Sequence, residues 1–115
     1  MRIQGSSMAP LLRDGHLVLL RTRAYHRHDP RRGEIVVARP AALHGKAVVK
    51  RLVGLPGERL TVDQQVWDLG DEDYLLMGDH AVDSLDSRAF GPVHRHELIG
   101  RLWLRLWPFT IFRTR

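Results

Sequence analysis

The sequence predicts a compact, mostly β fold in a single domain, and three observations carry that prediction. Its 115 residues suit one domain. Short apolar runs are separated by Gly, Pro and Asp, which is typical of strands joined by turns. Almost no stretch shows the 3.6-residue periodicity of an amphipathic helix. We therefore expect one domain over residues 1–115, with strands at 17–20, 34–38, 47–53, 60–62, 74–77 and 99–107.

Turn signals justify these elements in order along the chain. Each of the first three strands follows a dipeptide that ends in glycine, at residues 14–15, 32–33 and 44–45. Glycine supplies the positive φ that many tight turns require. The third strand stops at the Gly-Leu-Pro-Gly run of residues 54–57. The spacing of these signals matches the short strands of a β fold.

Segments without strand patterning are interpreted as loops or single helical turns. Residues 21–32, hereafter the basic segment, and residues 39–46 are expected to be exposed insertions within the domain. Short helical turns are expected near residues 10–12 and near residues 92–98.

The chain is basic, with a formal net charge of +5 carried by sixteen arginines and only two lysines. Such a balance could serve nucleic acid, an anionic membrane or an acidic partner. However, no run of these charges exceeds two, and no aromatic residues interleave with them as a base-stacking surface would need. We interpret them as a solvated surface and expect no nucleic-acid partner. An acidic substrate partner for the basic segment is a hypothesis.

Composition and hydropathy exclude several classes of site. There are no cysteines, so disulfides, thiolate metal sites and cysteine nucleophiles are excluded. Residues 1–5 contain no apolar run, so we expect neither a signal peptide nor a transmembrane anchor. Residues 102–112 are apolar but shorter than the roughly 20 residues that cross a bilayer. We interpret them as a terminal strand that packs on the core, and weak contact with a membrane surface is left open.

Seven histidines raise the question of a metal site. His26 and His28, like His94 and His96, are spaced two residues apart, which places each pair on one face of a strand. No carboxylate or cysteine accompanies them at a recurring metal-ligand spacing. We interpret the histidines as exposed residues, and we expect no metal and no cofactor.

Lys50 is one of the two lysines and lies in the strand predicted at residues 47–53. Strand alternation puts it on the same face as Val48 and Leu52, with Arg51 on the other. An apolar face lowers the pKa of Lys50, and a neutral amine is a usable general base for a serine hydroxyl. A lysine at a strand edge that reaches water explains the same segment. This segment alone leaves both interpretations open.

Ser7 lies between Gly5 and Pro10 in a segment suited to a tight turn. Gly5 permits an unusual backbone angle, and Pro10 fixes the turn that follows. A serine on such a turn exposes its hydroxyl together with its own backbone N–H, which could donate to an oxyanion. A serine that caps a short helix explains the segment too.

Four segments together resemble the sequence boxes of type I signal peptidases. Residues 5–12 read Gly-Ser-Ser-Met-Ala-Pro-Leu-Leu and resemble the nucleophile box of that family. Residues 32–37 read Arg-Gly-Glu-Ile-Val-Val and resemble its Gly-Asp-Ile-Val-Val strand. Residues 48–58 resemble its lysine box, and residues 78–93 resemble its final box. All four occur in the order that the family has.

The resemblance implies the mostly β signal-peptidase fold, which LexA-type self-cleaving proteins share, and a serine endopeptidase with a Ser/Lys dyad. It implies that Ser7 attacks the scissile carbonyl, while Lys50 takes the proton of Ser7 and later delivers it to the leaving amine. Ser84 matches the family serine that orients the lysine. Asp86 and Arg88 match an acidic and a basic residue that hold the final box in place.

The sequence departs from the family pattern in two of the boxes. Gly5 stands where many members carry a serine or threonine that donates to the oxyanion. The oxyanion site then depends on backbone N–H groups, chiefly that of Ser7, unless Ser6 substitutes. His80 and Ala81 stand where the final box usually has Asn-Arg.

Within the family, the chain is similar to the nickel-type superoxide dismutase maturation proteases, through its size, residues 90–93 and residues 100–108. That resemblance implies a cytoplasmic enzyme whose partner is a protein precursor with a short N-terminal extension. The alternatives are processing of secreted precursors at a membrane and a non-catalytic β domain that binds a peptide or nucleic acid. A LexA-like self-cleaving repressor is disfavoured, since only six residues precede Ser7.

Overall fold

Nine strands and two short helices are present in the computed structural model, which describes residues 1–3, 8, 11–80, 86–107 and 109–112. The strands are β1 Leu17–Arg21, β2 Ile35–Ala38, β3 Val48–Gly54, β4 Arg59–Val62, β5 Gln65–Asp68, β6 Asp73–Met77, β7 Val93–His94, β8 Leu98–Trp107 and β9 Phe109–Ile111. The helices are α1 Ala24–Arg27 and α2 Ser87–Phe90, and 3-10 turns occur at Ala41–Leu43 and Arg95–Glu97.

One antiparallel sheet organises these elements. Its strand order is β1-β8-β2-β3-β6-β7, with β9 added to β8, while β4 and β5 form a separate two-stranded hairpin. β8 is ten residues long and pairs with β1, β2 and β9. β3 lies between β2 and β6, so its backbone is hydrogen-bonded on both sides. The mostly β fold predicted from the sequence is confirmed.

Successive residues of the central strands enter different apolar clusters, because strand side chains alternate between the two faces of a sheet. The first core consists of Tyr25, Val36, Ala38, Leu52, Tyr74, Leu76, Val93 and Leu98. The second core consists of Ile3, Met8, Leu12, Val18, Ile35 and Leu102. The third core consists of Leu69, Leu75 and Met77, on which the β4–β5 side chains Leu60, Val62 and Trp67 pack.

The six predicted strands are all present, and each of their ends agrees with the sequence prediction to within one residue. The sequence did not predict β5, β7 and β9. β5 reads Gln-Val-Trp-Asp, and because its two apolar residues are adjacent, it shows no alternating pattern. It is also largely exposed. β7 is two residues long, too short for a pattern to emerge.

The helical turns were predicted less well than the strands. The helical turn expected near residues 92–98 is present as the 3-10 turn Arg95–Glu97, which follows β7, whereas α1 and α2 were not predicted. Near residues 10–12, the N–H of Leu12 donates to the carbonyl of Met8 at 3.0 Å, which closes a turn. Residue 10 itself lies outside the described residues.

The basic segment is exposed along most of its length, as predicted, but it is held in place and includes α1. The Arg95 guanidinium donates to the carbonyls of Tyr25 at 2.9 Å and His28 at 3.3 Å, and it also pairs with the carboxylate of Asp29. One arginine therefore fastens the segment to the 3-10 turn at the far end of the sequence.

The remaining surface predictions concern residues 39–46, the histidines and the membrane. Residues 39–46 are mainly exposed and include the 3-10 turn Ala41–Leu43.

Six of the seven histidines are exposed, and His16 is half-buried. Within the described ranges, no three His, Cys, Asp or Glu side chains are grouped so that they could hold a metal ion. No helix in this part of the chain is long and apolar enough to cross a membrane.

Candidate active site

Lys50 occupies the middle of β3 with only 4% of its surface exposed. Its Cα partner across the sheet is Val36 of β2, which is fully buried. Two residues along the strand, Leu52 belongs to the first core, whereas Val49 packs against the second. The alternation predicted from the sequence, with Lys50 on the face of Leu52, is therefore confirmed.

Burial lowers the pKa of Lys50, because the ammonium form loses its hydration when it leaves water. The carboxylate of Asp86 opposes this effect and favours the charged form. The positive charges of Arg88 and Lys46 add to the lowering. The net result is an amine that gives up its proton more readily than an ordinary lysine, as a general base at neutral pH requires.

Asp86 is fully buried and is the centre of a hydrogen-bond cluster at the start of α2. Its Oδ1 accepts from the backbone N–H of Arg88 at 3.1 Å and from Nε of Arg88 at 3.0 Å. Its Oδ2 accepts from Nη2 of Arg88 at 2.6 Å and from the backbone N–H of Gly78 at 2.9 Å. The predicted pairing of Asp86 with Arg88 is present. These four bonds compensate the carboxylate for its burial.

A second carboxylate, which the sequence analysis did not single out, also holds Arg88. Nη1 of Arg88 donates to Oδ2 of Asp63 at 2.5 Å. Asp63 and Gln64 form the turn between β4 and β5, and their φ angles are 51° and 67°. The two-residue turn could have been found from its flanking strands. Its contact with Arg88 could not, because 25 residues separate the partners.

Ser87 has a structural role, although it lies between the site residues Asp86 and Arg88. It is fully buried, and its Oγ accepts from the backbone N–H of Leu76 at 2.9 Å. This bond ties α2 to β6, the strand beside β3. Ser87 therefore holds α2 in place against the sheet, and it holds Asp86 and Arg88 there too.

The residue after the lysine anchors the opposite face of β3. Nε and Nη2 of Arg51 donate to the two carboxylate oxygens of Asp79 at 2.9 and 2.8 Å. Nη1 of Arg51 donates to the carbonyl of Gly33 at 2.8 Å. The side-chain hydrogen bond to Asp79 raises the pKa of Arg51. This bidentate pair connects β3 to the segment that follows β6, where the final box begins.

A cavity of about 210 Å³ lies on the Arg51 side of β3. Glu34, Arg51 and Arg101 line its polar part, while side chains such as Leu11 and Phe112 line its apolar part. The Glu34 carboxylate is already bonded, since it accepts from the Arg31 backbone N–H at 2.7 Å. The cavity has room for a side chain or a short piece of extended peptide.

Several predicted site residues lie outside the described part of the chain. They are Gly5, Ser6, Ser7 and Ser84. Their roles, including that of Ser7 as the nucleophile, stay predictions. The structure brings Asp86 and Arg88 close enough to act electrostatically on Lys50, from which they are 36 and 38 positions away along the chain.

Comparisons with known proteins find similarity to signal peptidases and to mitochondrial inner membrane proteases. The profile of the family described as signal peptidase, peptidase S26, matches residues 1–67 and 62–107. A probable signal peptidase I-2 from Synechocystis sp. is 34% identical over 92% of this chain and 62% of its own length. The mitochondrial ATP-independent inner membrane protease subunit 1b of Arabidopsis thaliana is 34% identical over 94% of this chain and 69% of its own length. Signal peptidase IB of Staphylococcus aureus is 28% identical over 96% of this chain and 78% of its own length. The chain thus spans less than two thirds of the first relative and somewhat more of the other two.

Proposed function

Because the chain belongs to the signal peptidase, peptidase S26, family, we propose that it is a serine endopeptidase that removes an N-terminal extension from a precursor protein. Ser7 is the nucleophile and Lys50 is the general base. The observation that carries this proposal is the burial of Lys50 in an apolar strand face, which lowers its pKa. A lysine placed for surface charge would be exposed and would keep its proton.

The proposed reaction proceeds through an acyl-enzyme. Neutral Lys50 takes the hydroxyl proton as Ser7 Oγ bonds to the scissile carbonyl carbon, whose oxygen becomes an oxyanion. Collapse of this intermediate breaks the peptide C–N bond, and the Lys50 ammonium gives its proton to the leaving amine. Lys50 then takes a proton from water as the water oxygen bonds to the ester carbon. Collapse of this second intermediate breaks the bond between that carbon and Ser7 Oγ and releases the acid product, while Lys50 returns the proton to Oγ. Backbone N–H groups near Ser6 and Ser7 stabilise the oxyanion, and the Ser84 hydroxyl orients the lysine amine.

The two lysines provide a matched test of the base. Lys50→Arg keeps a long basic side chain but replaces an amine that can lose its proton with a guanidinium that cannot. Lys46→Arg makes the same substitution at an exposed site four residues away. We expect cleavage by Lys46→Arg to match wild type, while Lys50→Arg and Ser7→Ala lose at least about 10³-fold in kcat. Equal activity of the two arginine variants would exclude Lys50 as the base.

Two classes of client are compatible with this chemistry. The first is a nickel superoxide dismutase precursor in the cytoplasm, which the resemblance at residues 90–93 and 100–108 suggests. The second is a precursor handled at a membrane, which the names of the signal peptidase and mitochondrial inner membrane protease relatives suggest. The family assignment by itself selects neither client.

Co-expression separates the two clients. Wild type and Ser7→Ala are each produced with a nickel superoxide dismutase precursor or with a secreted precursor, and the N-terminus of the product is determined by mass spectrometry. Trimming of the first by wild type alone, with the enzyme recovered in the soluble fraction, supports the cytoplasmic assignment. Trimming of the second alone, with the enzyme recovered with membranes, supports the signal-peptidase assignment. Trimming of neither client by wild type contradicts both.

A further inference from the structure

We propose that Asp63, at the tip of the β4–β5 hairpin, is a positioning residue that acts on the proposed base Lys50 through Arg88, which it shares with Asp86. Asp86 lies close to β3, because its Oδ2 accepts from the N–H of Gly78, and Gly78 follows Met77, the Cα partner of Arg51. The meaning of Asp63 for catalysis rests on the proposed role of Lys50 as the base. The contact between Asp63 and Arg88 does not depend on that role.

Arg88 is shared between two carboxylates that come from different parts of the fold. Nε and Nη2 of Arg88 donate to the buried carboxylate of Asp86, and Nη1 of Arg88 donates to the carboxylate of Asp63 at 2.5 Å. The side chain of Arg88 is 26% exposed and that of Asp63 is 62% exposed, so water weakens their interaction without removing it. The side-chain hydrogen bond to Asp86, followed by the one to Asp63, raises the pKa of Arg88. All three side chains therefore act as one charge cluster.

The hairpin is firmly placed, so Asp63 is not a loosely held surface carboxylate. Leu60, Val62 and Trp67 pack against the third core, which includes Leu75 of β6. The turn at Asp63 has φ of 51°, a left-handed conformation that asparagine and aspartate adopt more easily than most residues. The turn thus aims the carboxylate at Arg88. An Asp63→Asn substitution preserves both the shape and the turn while it removes the charge.

The charge balance around Lys50 gives the direction of the effect. Of the described residues, the charged groups that act on Lys50 are Asp86 ahead of α2, Arg88 in α2 and Lys46 ahead of β3. The facing residue on β2 is the apolar Val36. Without the charge of Asp63, the positive charge of Arg88 is compensated less, while its bidentate bond to Asp86 keeps it in place. Lys50 should then lose its proton more readily and become a weaker base.

The composition makes Lys50 directly observable, since the protein has only two lysines. With 13C-labelled lysine, the side-chain NMR signals of Lys46 and Lys50 can be followed against pH, and Lys46→Arg assigns them. The matched control for Asp63→Asn is Asp68→Asn in the same hairpin. Asp68 pairs with Arg59 at 3.5 Å, and 72% of its side chain is exposed. Its substitution by asparagine removes one negative charge from the hairpin, as Asp63→Asn does, but away from Arg88.

We expect Asp63→Asn to lower the titration midpoint of Lys50 by on the order of a few tenths of a pH unit, and Asp68→Asn to leave it within about 0.1 unit. In cleavage assays, Asp63→Asn should shift the acid limb of the kcat profile to lower pH and reduce its plateau, because a weaker base transfers the proton less effectively. If the Lys50 midpoints of the two variants coincide, the inference is overturned, whatever the activity. If the midpoint shifts but wild type cleaves nothing, the proposed function fails and the coupling of Asp63 to Lys50 stands.

Discussion

Removal of the buried carboxylate of Asp86 gives the sharpest test of how the candidate site is held together. Among the described residues, Asp86→Ala deletes four hydrogen bonds, three of them from Arg88 and one from the N–H of Gly78. It also removes the side-chain cap of α2. Bonds to a charged group contribute about 1.5–3 kcal/mol each when they are intact, but they are not additive. Because Arg88 is partly exposed and keeps Asp63, its charge is not stranded. We therefore expect a loss of about 3 kcal/mol in the free energy of unfolding.

For a domain of 115 residues, this loss corresponds to a fall in Tm of about 12 °C. Urea unfolding followed by circular dichroism measures the free energy, and a thermal scan measures Tm. Asp68→Ala is the control, because its ion pair with Arg59 is long and about three quarters exposed. It should stay within about 0.5 kcal/mol of wild type. An Asp86→Ala protein within about 1 kcal/mol of wild type would refute the view that this carboxylate organises the site.

Three further predictions test other parts of the structure. Lys50→Met should raise stability at neutral pH by about 1 kcal/mol. Because the pKa of Lys50 is lowered from 10.5 in the folded state, wild-type stability rises with pH through the interval between the lowered value and 10.5. In urea titrations at several pH values the variant should lack that rise, and an unchanged slope would contradict the burial argument. Gly100→Ala should lower the free energy of unfolding in urea by about 2 kcal/mol, since the added Cβ would lie 2.5 Å from the carbonyl oxygen of Arg21. An unchanged free energy would show that β1 and β8 can move apart. Arg95→Ala should increase amide hydrogen exchange in the basic segment by at least about tenfold while β3 stays protected, whereas unchanged exchange would mean that other contacts fasten that segment.

The strands and the environment of Lys50 could be predicted from sequence because both depend on local patterns. Alternation along residues 47–53 put Lys50 on an apolar face, and turn dipeptides set the strand boundaries. The local patterns failed where an element has little pattern of its own. β5 is four residues long and largely exposed, and β7 is two residues long, so their pairing partners, rather than their own residues, make them strands.

The candidate site was predicted in part. The sequence indicated that Asp86 and Arg88 pair, and the structure confirms the pair and adds that the carboxylate is fully buried. No local pattern indicated that Ser87 accepts a hydrogen bond from the N–H of Leu76. Ser7 and Ser84 stay predictions from the family resemblance, since they lie outside the described residues.

The sequence by itself therefore determined the fold class, the family and the apolar setting of the candidate base, because each is encoded by residues close together in the chain. Only the tertiary structure decided which charged side chains, distant in the sequence, form ion pairs. Asp63 and Arg88 are separated by 25 residues, and Arg95 and Asp29 by 66. No periodicity or motif links such positions. Their contacts exist because the sheet and the third core bring the hairpin, α2 and the basic segment to fixed places, where the strength of an ion pair depends on distance and burial.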